Sequence, residues 1–134
     1  MADPIGLIAD SHGRLDLMEK AIAALRGLGA HDIVHLGDIC DSLAPLALEE
    51  ALPVIENNGV RCVLGNNEYA ILVNHRDRGG GTLSGAVVSF LESLPYVITA
   101  GDVTFAHAAP YPWPAALRWP HAGFPGDPAR LPGC

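Results

Sequence analysis

Residues 60–70 read VRCVLGNNEYA. An apolar, β-branched run gives way to Gly65-Asn66-Asn67-Glu68. Such a change marks the carboxyl end of a buried strand opening into a functional loop. Taken alone, Gly-Asn-Asn is also ordinary turn chemistry. The sequence on either side decides between these readings.

Two earlier stretches are written in the same way. IGLIAD (5–10) and DIVHLGD (32–38) are short apolar runs that end in carboxylates. Between the first two runs, Leu15, Met18, Ile22 and Leu25 recur at the spacing of one helix face, with Gly27 and Gly29 as stop signals. Between the second and third, APLALEEALPVIENNG places Pro45 near a helix start, and Pro53 is expected to interrupt that helix or end it early. Asp10 to Asp38 and Asp38 to Asn66 are equal intervals, each close to the ~30 residues of a βαβ unit. The first half therefore reads βαβαβ. Parallel strands joined by helices place their carboxyl ends on one sheet edge, so polar groups distant in sequence meet there.

Beyond the third strand, EYAILVN begins a further helix and HRDRGGGT (75–82) reads as a loop. Its three glycines match neither a GxGxxG nor a Walker pattern, which leaves a generic nucleotide-binding module without support. SGAVVSFLESLP (84–95) reads as helix with Val87, Val88 and Leu91 inward. YVITAGDVTFAHA reads as two strands around a Gly101-Asp102 turn. From residue 110 onward most of the chain's 11 prolines crowd together with no helix or strand period. The expected organisation is a domain over 1–109 followed by an irregular, proline-rich tail over 110–134.

Bulk properties limit the partners. The chain has 134 residues, 49% of them hydrophobic, enough for one cored domain. A net charge of −7 with 8 Lys and Arg argues against an extended nucleic-acid surface. A phosphate ester remains an acceptable ligand if metal ions supply the positive charge. Three cysteines without a CxxC suggest neither a disulfide framework nor a zinc ribbon, and Cys62 reads as a core residue. MADP leads straight into the first apolar run, with no signal-peptide pattern, and no apolar stretch reaches the ~18 residues of a membrane span. A cytoplasmic setting without membrane contact is expected.

The strand ends carry the chemistry. They bring Asp10, Ser11 and His12, then Asp38 and Asp41, then Asn66, Asn67 and Glu68, and finally His107. Carboxylate, imidazole and amide oxygen on one edge can hold hard or borderline divalent metals. D-x-H-G, G-D-x-x-D, G-N-x-E and a strand-terminal His, in that order over residues 5–109, resemble the calcineurin-like metallophosphoesterases. More narrowly, they resemble the small single-domain phosphodiesterases of that family.

The resemblance implies an α/β fold: a two-layered β-sandwich flanked by helices, here without its last strands. It implies two divalent metal ions, Mn²⁺ foremost, with Fe, Zn, Ni or Mg as alternatives. Asp10 and His12 would bind one metal, Asp38 would bridge, and Asn66 and His107 would bind the other. The implied reaction is hydrolysis of a small phosphate ester by a metal-bridging hydroxide. Ser11 and Cys40 are then not nucleophiles. Arg76 and Arg78 are either solvated surface or a contact to the substrate's charged group.

Two departures bear on activity. Most relatives carry, where Asn67 stands, a histidine that assists the leaving group. An amide cannot act as a general acid. A missing acid can lower the rate ~10²–10⁴-fold and favours substrates with good leaving groups. Asp41 is expected either to accept a hydrogen bond from Asn67 or to be a loop carboxylate. The family's later G-H-x-H motif does not occur, and His121 is the sole histidine after His107. A naturally shortened enzyme, an inactive fragment and a non-catalytic scaffold of the same fold all remain compatible with these departures. Missing strands would also expose a sheet edge, so self-association is expected.

Overall fold

The structure is a computed structural model, and it describes residues 3–77 and 83–108. The first half builds the expected βαβαβ unit: β1 (Ile5–Ile8), α1 (Leu15–Gly27), β2 (Asp32–His35), α2 (Ala47–Asn57) and β3 (Arg61–Cys62). The three strands are parallel, in the order β1-β2-β3, with Ile5 opposite Asp32 and His35 opposite Cys62. Then come α3 (Asn66–Asp77), α4 (Gly85–Ser93), β4 (Val97–Ala100) and β5 (Val103–Ala106). β4 and β5 pair antiparallel around Gly101 and Asp102, as their alternation predicts.

All three parallel strands are shorter than the apolar runs that announce them. The chain leaves the β region early, because Asp10 and Asp38 take left-handed backbone angles (φ 54° and 58°). After β3 the extended segment ends where α3 begins, at Asn66. Asn66 and Asn67 are therefore the first residues of a helix and not a free loop.

The helices cover the sheet with the faces their periodicity predicts. In α1, Met18 and Ile22 are buried, with Leu15 and Leu25 packed beside them. In α4, Val87 and Leu91 are buried and Val88 is half-buried. Ser84 caps α4 by accepting the Val87 N–H at 3.2 Å. Pro53 does not end its helix: α2 runs through it to Asn57. Leu48, Ala51, Leu52 and Ile55 form a buried stripe on both sides of the proline, and Pro53 itself is exposed. Packing of that stripe outweighs the lost backbone hydrogen bond. Ile33, Val34, Leu48, Leu72 and Leu91 anchor the core, and Cys62 is a core residue.

Among the described residues, one backbone bond ties the end of the parallel sheet to the start of the hairpin. Leu64, just past β3, donates to the Pro95 carbonyl ahead of β4 at 2.7 Å. It brings the hairpin to the side of the parallel sheet where the polar strand ends gather.

Candidate metal centre

The loops after β1 and β2 are zipped together beyond their strands. Asp10 N–H donates to Gly37 O at 3.1 Å, His12 N–H to Asp38 O at 3.0 Å, and Gly13 N–H to Ile39 O at 2.7 Å. Within this ladder Asp10, His12 and Asp38 all have positive φ (54°, 45° and 58°). Left-handed backbone is uncommon outside glycine, and Asp and His are among the residues that best tolerate it. Strain of this kind persists where surrounding structure holds it, and it concentrates at functional sites. Here the left-handed steps turn three side chains toward one point.

The side chains meet there. Asp10, Asp38 and His107 each offer a ligand atom, all within 4.8 Å of one another. His12 Nε2 lies 3.8 Å from Asp10 Oδ1 and 3.9 Å from Asp38 Oδ2. His107 Nε2 lies 3.5 Å from Asp38 Oδ2. Asp38 is 7% exposed and His107 19%, against 57% for Asp10 and 42% for His12. The cluster thus has a buried floor and an open mouth.

The other nitrogen of His107 settles its tautomer. His107 Nδ1 is 2.8 Å from the Leu36 carbonyl, which can only accept, so Nδ1 carries the proton and donates. Nε2 then points a lone pair into the cluster. Asn66 satisfies that lone pair when its amide nitrogen faces inward, donating to His107 Nε2 at 2.9 Å and to Asp38 Oδ2 at 3.1 Å. A half-turn of the amide presents the oxygen at the same place, 2.9 Å from Nε2. Carboxylates, imidazoles and an amide oxygen on one edge are a donor set that fits divalent cations.

Close approach of two loops makes this possible. A Cβ on Gly65 would lie 2.5 Å from Asp38 Oδ1 and 2.7 Å from Glu68 Oε1. A Cβ on Gly37 (φ 102°) would lie 2.8 Å from Gly65 Cα and 2.9 Å from His107 Nδ1. The glycines of the G-D and G-N pairs face each other across a gap that admits no side chain.

Two buried groups support the cluster: Glu68, which the sequence places in the G-N-x-E motif without a role, and His35, which it does not single out. Glu68 is fully buried. Its Oε1 accepts from Asp38 N–H at 2.7 Å and Gly65 N–H at 3.1 Å, and Oε2 accepts from Ile39 N–H at 2.9 Å. Burial pushes its carboxyl up to about 7, helped by the Asp38 charge and opposed by the three N–H donors. The sequence does hold a signal for it: a carboxylate three residues after Gly65 has the spacing of a capping box. His35 is the second group. Ser11 Oγ donates to Ile39 O at 3.0 Å and lies 2.8 Å from His35 Nε2, which must therefore donate. His35 Nδ1 accepts from Gly37 N–H at 3.1 Å. Burial lowers the imidazole to about 4, against smaller opposing effects of Asp10 and Asp38, so it is neutral. Only an inward position in β2 foretold this, and any core histidine shares it.

The remaining expected residues fall elsewhere. Asn67 N–H donates to Asp38 Oδ1 at 3.0 Å, and its side-chain oxygen accepts from Ser42 N–H at 2.9 Å. No hydrogen bond joins it to Asp41, which is an exposed residue of the loop after β2. Cys40 is buried, and burial pushes its thiol up to about 12, which removes it as a nucleophile at neutral pH. Arg76 pairs with Glu92 at 3.2 Å on the surface. Arg78, His121 and the stretch 110–134 lie outside the described residues. No helix among the described residues is long and apolar enough to cross a membrane.

Comparison with known proteins agrees with this fold. The calcineurin-like phosphoesterase superfamily domain matches residues 4–112. The crystal structure of a metallophosphoesterase from Sphaerobacter thermophilus superposes with a TM-score of 0.53 at 25% sequence identity. That match covers 75% of this chain and 44% of the other, so the chain spans less than half of that metallophosphoesterase. No curated protein matches the sequence. The βαβαβ core, the polar groups gathered at its carboxyl edge and the match over residues 4–112 agree, and the chain belongs to the calcineurin-like phosphoesterase superfamily.

Proposed function

We propose that the chain is a metal-dependent phosphoester hydrolase, with a small phosphodiester as the preferred substrate class. Asp10, His12, Asp38, Asn66 and His107 would hold two divalent cations, with Mn²⁺ the first choice. One observation carries the reading: Asp10, Asp38 and His107 converge within 4.8 Å although they come from different strands. Divalent cations, when bound, supply Lewis acidity toward phosphoryl oxygens and make water a usable nucleophile near neutral pH.

The protein's own groups have separable tasks. Asp38 sits deepest and faces His12, Asn66 and His107, which suits a shared ligand. His107 is oriented by the Leu36 carbonyl, the kind of outer contact that fixes a ligand's tautomer. Asn66 needs only a rotation of its amide to change from donor to ligand. Exposed Asp10 and His12 form the side of the site from which an ester can approach. Asn67 can orient a leaving group by donating a hydrogen bond but cannot give up a proton. Esters with good leaving groups are therefore the expected substrates.

Hydrolysis of bis(p-nitrophenyl) phosphate with and without Mn²⁺ tests the proposal. Metal-dependent release of p-nitrophenol is expected. No turnover by folded protein under any divalent metal would refute it.

A second reading, a metal-binding but non-catalytic scaffold, rests on Asn67. Its oxygen is committed to Ser42 N–H in the position where an acid is expected. Mn²⁺ binding by calorimetry without any turnover would favour that reading.

A further inference from the structure

The mouth of the candidate centre draws attention first, yet the group that touches most of its framework is the fully buried Glu68, which can never meet a substrate. Its carboxylate receives three backbone N–H groups from two separate segments: Asp38 and Ile39 after β2, and Gly65 before α3. Asp38 supplies one proposed ligand, and Gly65 immediately precedes Asn66, which supplies another. The segments share no strand pairing there, because β3 ends at Cys62.

We propose that Glu68 is the positioning residue that sets the separation of Asp38 and Asn66 and holds Asp38 in its left-handed conformation. The role rests on the metal-centre reading above. Three features distinguish it from ordinary capping. Capping requires only the Gly65 N–H at the start of Glu68's own helix. Here the two shorter bonds, 2.7 and 2.9 Å, run to the other segment. They engage the N–H groups on either side of the α-carbon of Asp38, the residue whose φ is 58°. The return contact, Asn67 N–H to Asp38 Oδ1 at 3.0 Å, fixes the aspartate side chain from the same helix start. Glu68 thus fixes the backbone of Asp38, and Asn67 fixes its carboxylate.

Glu68→Gln tests this. The glutamine oxygen can still accept two N–H groups, but its amide nitrogen must then face the Ile39 N–H, donor against donor. The full chain is titrated with Mn²⁺ alone by calorimetry, and amide hydrogen exchange is followed at Asp38, Ile39 and Gly65. Leu91→Ala, in the core, serves as a control for general loss of stability. We expect Glu68→Gln to stay folded, to exchange at Ile39 and Asp38 at least about tenfold faster, and to lose about 10–100-fold in Mn²⁺ affinity. Leu91→Ala should keep wild-type affinity. Glu68→Asp keeps the carboxyl group with one methylene fewer. It should show the same pattern, and it replaces Glu68→Gln if that variant does not fold. Wild-type affinity in either folded Glu68 variant would overturn the proposal, as would equal losses of affinity in Leu91→Ala. If wild-type protein takes up no Mn²⁺, the functional reading fails and exchange alone decides: unchanged protection at Ile39 and Asp38 overturns the clamp.

Discussion

The two ends of the parallel sheet are stitched by opposite chemistry. At the amino end of β2, Arg26 reaches from the last turn of α1 and donates to the carbonyls of Ala30, His31 and Asn58. One cation gathers three carbonyls from two chain turns. At the carboxyl end a carboxyl group does the reverse, as Glu68 gathers the N–H groups of Asp38, Ile39 and Gly65. The arginine is exposed and its segments have ordinary turns. The glutamate is buried, and its segments hold left-handed Asp38. Both are tertiary ties, but only one holds a strained backbone in place. A tie that holds strain should govern activity, and a tie that does not should govern stability alone.

The sharpest way to break the comparison is to remove the strained residue itself. Asp38→Ala should lower Mn²⁺-dependent phosphodiester hydrolysis at least about 100-fold, since even outer partners of metal ligands can cost that much. Turnover within a few-fold of wild type would show that the carboxyl edge is not the reacting site. At the other end, Arg26→Ala should cost about 1–3 kcal/mol of stability, the worth of hydrogen bonds to a charged group reduced for their partial exposure. Urea unfolding measures that loss, and Mn²⁺ affinity should stay at its wild-type value. A parallel fall in affinity would show that the two ends are coupled.

The smallest effect is one of pH. Neutral, buried His35 has its pKa lowered from 6.5 to about 4. Between those values the unfolded chain binds more protons than the folded one, so this group's contribution is fully present above pH 6.5 and is lost as pH falls toward 4. Glu68 runs the other way: raised from 4.5 to about 7, it disfavours folding progressively as pH rises through that range. The two slopes oppose each other, so wild-type stability alone conceals both. The stability advantage of wild type over His35→Asn should therefore narrow as pH drops from 7 to 5. A gap that stays constant would mean that His35 does not titrate differently in the folded state.

The sequence made some of this legible because certain features are local. Met18 and Ile22 lie inward because a 3.6-residue period needs no knowledge of the rest of the fold. Asp10 and Asp38 converge because parallel strands share a direction, which a run of apolar residues ending in a carboxylate already encodes. Pro53 misleads for the opposite reason: its local cost is visible, while the buried stripe that overrides it is a property of tertiary packing. The left-handed angles of Asp10, His12 and Asp38 are not written in residue identity, because these residue types also adopt ordinary conformations. In the sequence Glu68 is only the last letter of a motif. Its partners at Asp38 and Ile39 are about 30 residues upstream, beyond the reach of any capping rule.

His107 enters the cluster from a hairpin that belongs to neither the parallel sheet nor its helices, held by its bond to the Leu36 carbonyl 71 positions away. Contacts so distant in sequence form late, because the intervening chain must first be brought together. The β1-β2-β3 unit can be complete, with His12 in place, while the centre still lacks its second imidazole. Competence to bind metal should then appear after most of the secondary structure during refolding. A cation that favours the finished centre would act as a latch on the β4-β5 hairpin, slowing its detachment more than it speeds the collapse of the core.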